Sequence, residues 1–298
     1  STSCSGTPIR QKTILTDGVS SGGKVTDLPR WLLMWSLSFA IYGSCKWLTW
    51  RTTPTSPVPV WRHLAYLFAW PGLDAPAFLS PSSQHQVAPP KNREWYVASL
   101  RLLSGLLLVW GISPLLPADW DLIRGWFGII GLLQILHFGL FALLSCHWRS
   151  HGLDAKPLMQ QPIRSTSLSE FWSRRWNTAF RDLTHQFLFQ PLARKFGPIP
   201  AMWIDFFISG LIHEFVISFP AGGGYGGPTS FFLLQAIGLS LERSTLGKSL
   251  GLRRGWRGKI LTLLFLLGPI ALLAHPPFVL NVIVPFLHAI GAGQIRSQ

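Results

Sequence analysis

Apolar residues gather into seven windows along the chain, at 28–50, 97–116, 126–144, 202–219, 230–241, 260–274 and 278–290. A helix needs about 20 largely apolar residues to cross the hydrocarbon core of a bilayer. The first four windows meet or approach that length. The last three are short and suit spans that tilt or are partly surrounded by protein. The pattern predicts an all-α integral membrane protein, a multi-helix bundle of about seven spans. Residues 1–27, rich in Ser, Thr and Gly, read as a polar N-terminal tail with no secretory signal, leaving 28–298 as one membrane domain. Two further stretches are too mixed to span. The run 61–70 (WRHLAYLFAW) is short, aromatic and stopped by Pro71-Gly72, as in an interfacial or re-entrant helix. Over 168–196, Phe171, Trp172, Arg175 and Trp176 recur at helical spacing, predicting an amphipathic helix on the membrane face with Ser167 or Ser169 as N-cap.

Composition agrees with a membrane setting. Charged residues make up 13% of the chain and hydrophobic ones 48%, whereas soluble domains carry about 25% charged residues. The net charge of +14 lies largely in the loops between apolar windows. That distribution fits positive-inside topology and attraction to anionic headgroups, and no basic–aromatic nucleic-acid module is present. The segment 145–201 carries eight Lys and Arg, and 242–259 carries six, so both are assigned to the cytoplasm. The uncharged, glycine-rich 220–229 connection is assigned to the outer side as a flexible tight turn. Cys4, Cys45 and Cys146 are too dispersed for a disulfide framework or a zinc site. His147, His151 and His185 fall on the cytoplasmic side and are read as non-ligands, so no metal is expected.

The fourth window holds His213 and Glu214 side by side near its middle. A carboxylate there costs about 2.5–3.5 kcal/mol on insertion scales, which makes such a residue a functional candidate by default. Upstream by 36 residues stands Asn177, closing the run Phe171-Trp172-Ser173-Arg174-Arg175-Trp176-Asn177. This ordered pair, an aromatic segment ending in Trp-Asn followed by an apolar Ser209-x-x-x-His213-Glu214, resembles the membrane-bound O-acyltransferase superfamily. The Phe-Trp-x-Arg-Arg-Trp run is similar to its wax synthase-like branch. Tyr66–Asp74 (YLFAWPGLD), His137-Phe138-Gly139 and Asn281–Pro285 add weaker matches, so the resemblance covers roughly residues 60–290.

The resemblance implies a helix bundle enclosing a substrate tunnel, in which an acyl group passes from acyl-CoA to an acceptor hydroxyl. It places the catalytic histidine on His213 and the conserved amide on Asn177. Acyl-CoA is the expected co-substrate, with Trp172, Arg174, Arg175, Trp176 and His137 as candidates for binding it. Arg suits CoA phosphates through bidentate contacts, and ordinary headgroup anchoring explains Arg174 and Arg175 equally well. His137 either lines the tunnel or bonds a neighbouring helix.

The residues support the chemistry independently. An alcohol needs a positioned base, worth about 10²–10⁴-fold, and a neutral histidine in an apolar site suits that role. Asn177 is expected to stabilise the thioester oxyanion or orient the acceptor. Ser209, one turn before His213, is expected to pack or hydrogen-bond, and Glu214 to be structural, paired with a basic or amide side chain. The acceptor is expected to be a lipophilic alcohol such as a fatty alcohol, sterol, diacylglycerol or hydroxylated terpenoid. Two alternatives stand beside it: acylation of an exported polymer or metabolite across the membrane, and a non-catalytic transport or assembly subunit using His213 and Glu214 as a proton relay. The host membrane is expected to be a bacterial inner membrane or the endoplasmic reticulum. Chain length of the acyl group, oligomeric state and any membrane partner are left open.

Overall fold

A computed structural model describes residues 28–54, 57–81, 87–117 and 119–293, so the 1–27 stretch lies outside it. Among the described residues every apolar window is helical. Helix α1 is Arg30–Thr52. The short α2 (residues 60–69) and α3 (Ala75–Leu79) follow, then α4 (Asn92–Leu115) and α5 (Asp121–Ser150). Helix α6 covers residues 168–175 and α7 residues 178–196. Next come α8 (Pro198–Ala221), α9 (Gly227–Arg243), α10 (Thr245–Ser249), α11 (Gly255–Leu273) and α12 (Pro276–Ala289).

Four of these, α4, α5, α8 and α11, are long and apolar enough to cross a membrane. The windows at 28–50, 230–241 and 278–290 form helices that fall short of that standard. Helix α1 carries Arg30, Lys46 and Arg51, α9 has 17 residues, and α12 is shorter still. Length and apolarity therefore support four spans.

The 60–69 stretch is helical, as its composition predicts, and stops at Trp70. The predicted single helix over 168–196 is corrected: it breaks at Trp176–Asn177. Trp176 is extended, and Asn177 takes the left-handed conformation at φ 39° and ψ 63°, which Asn tolerates better than other non-glycine residues. A strap of residues 158–160 explains the break. Gln160 N–H donates to the Arg175 carbonyl (2.8 Å) and Thr178 N–H donates to the Leu158 carbonyl (3.0 Å). Backbone groups that would continue the helix are thus spent across the strap. Of the two candidate caps, Ser167 is the one used, its hydroxyl accepting the Glu170 N–H at 3.0 Å.

His147 lies on α5 and His151 directly follows its last residue. They stand one helical turn apart, with ring centroids 4.6 Å from each other, which is the H-x₃-H spacing of paired metal ligands. Among the described residues no group of three or more His, Cys, Asp and Glu side chains is placed to hold an ion.

Several spans contain wide, π-helical turns. One, Glu214–Ser218, begins immediately after His213. The 220–229 connection is a tight turn in which Gly222, Gly224 and Gly226 all take positive φ. Gly224 lies against the His275 ring, where a Cβ would come within 2.3 Å.

Candidate functional site

His213 lies on α8 where that helix packs along α9. Close approach is possible because Gly210, one turn earlier, faces the Thr229 backbone. A Cβ at 210 would sit 2.8 Å from the Thr229 Cα. The imidazole Nδ1 is 2.7 Å from the Ser209 carbonyl oxygen. A carbonyl only accepts, so Nδ1 carries the proton and a neutral ring holds its lone pair on Nε2. Ser209 therefore does hydrogen-bond, through its carbonyl. The ring lies 4.4 Å, centroid to centroid, from Phe232 of α9.

Glu214 takes a partner different from the expected side chain. Its Oε1 accepts the backbone N–H of Thr229 at 3.0 Å, a carboxylate placed in the first turn of α9 where the helix dipole favours it. Its second oxygen is buried without a hydrogen-bond partner among the described residues.

The aromatic–basic segment reaches the same face of α9. Trp172 packs edge-on against Phe206 (5.6 Å) and lies 5.8 Å from Phe232. Its indole N–H donates to Gln235 Oε1 at 3.4 Å. The Gln235 amide in turn donates to the carbonyls of Phe265 (2.7 Å) and Phe231 (3.3 Å), so a fully buried glutamine is fixed in orientation. Phe232 thus joins Trp172 to His213.

Trp176 stacks on Phe171 (5.4 Å) and meets Phe138 of α5 at 6.4 Å. His137, the neighbour of Phe138, has its ring edge on Phe141, and its Nδ1 is buried without a hydrogen-bond partner among the described residues. Asn177 uses its backbone N–H on the Met159 sulfur (3.3 Å). Its side-chain amide makes no hydrogen bond among the described residues and does not cap α7. No hydrogen bond links Asn177 to His213 among the described residues. The two arginines separate. Arg175 is bound to Glu170 at 2.6 Å and to the Gln160 carbonyl at 3.1 Å, whereas Arg174 is exposed.

Two residues of this arrangement were not singled out in the sequence, Gln235 and Glu242. Glu242 is fully buried and accepts the backbone N–H groups of Leu168 (2.7 Å) and Ser169 (3.2 Å) at the start of α6. The available clue was the 3-3-7 spacing of Thr229, Phe232, Gln235 and Glu242, which places polar groups on one side of an apolar helix.

The arrangement can accept a proton at His213 Nε2 and donate a hydrogen bond from the Asn177 amide, within apolar and aromatic surroundings. The sequence profile of the membrane bound O-acyl transferase family matches residues 155–234, which include Asn177 and His213. A long-chain-alcohol O-fatty-acyltransferase of Simmondsia chinensis is 28% identical over 187 residues, 54% of this chain and 49% of that protein. A probable long-chain-alcohol O-fatty-acyltransferase 8 of Arabidopsis thaliana is 29% identical over 131 residues, 40% of this chain and 36% of its own length. An acyl-CoA–sterol O-acyltransferase 1 of Arabidopsis thaliana is 32% identical over 71 residues, 22% of this chain and 21% of its own. The chain spans half or less of the length of these relatives.

Proposed function

We propose that this chain, a member of the membrane-bound O-acyltransferase superfamily in its wax synthase-like branch, transfers an acyl group from acyl-CoA to the hydroxyl of a membrane-dissolved alcohol. The observation that carries the reading is the orientation of His213. With Nδ1 tied to the Ser209 carbonyl, Nε2 is left as an acceptor in a dry helix, as a general base for an alcohol requires. The alcohol gives its proton to Nε2 while its oxygen bonds to the thioester carbonyl carbon. The Asn177 amide donates to the oxyanion that forms. The carbon–sulfur bond then breaks, and the departing thiolate takes the proton from His213, so the base is restored and ester and free CoA leave.

Trp172 and Trp176 form apolar walls beside this path, His137 lies near the second of them, and exposed Arg174 is the better placed of the two arginines to meet CoA phosphates. Arg175 serves chiefly to hold the segment through Glu170. The named activities of the relatives support long-chain alcohols and sterols as the first acceptors to try.

The test uses purified protein with labelled acyl-CoA and a panel of long-chain alcohols, sterols and diacylglycerol. Wild type is expected to form ester, and folded His213→Ala to lose about 10²–10⁴-fold of the rate. Acyl-CoA consumption unchanged by that substitution would remove the histidine from the chemistry.

A further inference from the structure

The reacting groups proposed above come from two separate pieces of chain, α8 with His213 and the segment 168–177 with Asn177. Helix α9 touches both and is held at each end by a carboxylate. At its N-terminal end Glu214 of α8 accepts the Thr229 N–H. At its other end α9's own Glu242 accepts the Leu168 and Ser169 N–H groups. Thirteen residues of helix separate these two points, about 20 Å. Between them Phe232 meets His213 and Gln235 meets Trp172. Phe232, Gln235 and Glu242 fall within an arc of about 80° on α9. Close packing accompanies the Glu242 end as well: a Cβ on Gly238 would lie 2.7 Å from the Leu168 side chain.

We propose that Glu242 is a positioning residue, which sets the register of the Asn177-bearing segment against the helix that also carries the contact to the base. This rests on the acyl-transfer reading. The carboxylate suits the task because two amides at a helix start present converging donors to one oxygen, and charge-assisted hydrogen bonds of this kind are strong and directional. Simple cohesion does not call for it. The second oxygen of Glu242 is buried without a hydrogen-bond partner among the described residues, a cost of about 1–3 kcal/mol that an apolar contact would avoid. A buried carboxylate fixes one arrangement, whereas apolar side chains tolerate sliding.

The experiment compares wild type, Glu242→Gln and Glu242→Ala as purified full chains, by steady-state kinetics and by backbone hydrogen exchange. Gln keeps an oxygen acceptor for both amides, and Ala removes it. Glu242→Ala is expected to lose about tenfold or more in kcat with the KM for acyl-CoA changed by less than about threefold, while Glu242→Gln stays within about threefold of wild type. Exchange should rise in peptides covering 166–177 in the Ala variant alone and stay unchanged over 205–217. Turnover of Glu242→Ala equal to wild type, or an equal loss in both variants, overturns the proposal. So does a loss accompanied by faster exchange throughout the chain. Wild-type protein that acylates no alcohol overturns the enzyme reading instead, and the exchange comparison then still decides whether Glu242 holds the segment.

Discussion

Two aromatic, basic stretches, residues 60–80 and 168–177, look alike in composition and differ in how they use their polar groups. In the first, polar atoms are spent on the fold. Arg62 is buried and donates to the carbonyls of Phe78 and Ser80, each at 2.8 Å. Tyr66 has no exposed surface, shares a 2.7 Å hydrogen bond with Thr49, and lies beneath the Lys46 ammonium at 3.4 Å. Lys46 itself donates to the carbonyls of Trp70 and Gly72. The second stretch uses backbone bonds, Ser167, Glu170 and Glu242 to hold its shape, and leaves the Asn177 amide, at a left-handed position, without a hydrogen bond among the described residues. A polar side chain consumed by its own scaffold reads as structure. One held in an uncommon backbone conformation with its side chain unspent is a candidate for chemistry.

Substitution at Asn177 tests that contrast most sharply. Asn177→Ala is expected to lower kcat by about 10²-fold, more than it weakens acyl-CoA binding. Asn177→Gly relieves the left-handed position without supplying an amide, so it should be equally slow; recovery of rate by Gly would make the residue a hinge only. In the other stretch Lys46→Ala should leave the Gly72 carbonyl without its donor and the Trp70 carbonyl with only the Tyr42 hydroxyl at 3.4 Å, at about 1–3 kcal/mol for an unsatisfied group. Its thermal midpoint in detergent should drop while turnover per folded molecule stays near wild type. A specific loss of rate at unchanged midpoint would bring the first stretch into the site.

The two arginines give smaller effects that should split by kind. Arg174→Ala is expected to raise the KM for acyl-CoA a few-fold, on the order of one lost phosphate contact, with stability unchanged. Arg175→Ala should lower the thermal midpoint with little change in KM. Reversed outcomes would exchange their roles. Smallest is a pH effect. The Thr166 amide, followed by Arg175 among other donors, holds the Glu170 carboxyl below its ordinary range. The unfolded state therefore binds this proton more readily, and the stabilising contribution is present above the unfolded carboxylate pKa and lost as pH falls through the lower folded value. Thermal midpoints measured from neutral pH downward should show that loss in wild type and not in Glu170→Gln.

The helices were legible because apolar windows of span length have few other stable forms in lipid. His213 was legible for the converse reason, as a polar residue in such a window. The break at Asn177 was hidden. Phe171, Trp172, Arg175 and Trp176 fit a helical face, and the strap that ends the helix comes from residues 158–160, which carry no pattern linking them to it. Gln235 disappeared into an apolar run. Glu242 was counted with the basic loop that follows it, although it lies on the helix and faces inward. Long-range partners of this sort, 74 positions apart for Glu242 and Leu168, leave no local periodicity.

The wide turn after His213 bears on how the chain tolerates change in length. Glu214–Ser218 winds with one more residue than a regular turn, so the halves of α8 on either side of it are phased by a count of residues. Deleting one residue there would restore ordinary winding with the two halves close to their present phase, because five residues in a wide turn sweep about the same angle as four in a regular one. Deleting a second would rotate the halves by about 100° relative to each other. With the later half anchored by Ser218 to His275 (3.1 Å), that rotation would fall on the half that carries His213 and turn its ring away from Phe232. Between this histidine and the glycine turn, loss of the one extra residue is therefore tolerable where a further deletion is not, and sequences that share the geometry should differ in this interval by that single residue at most.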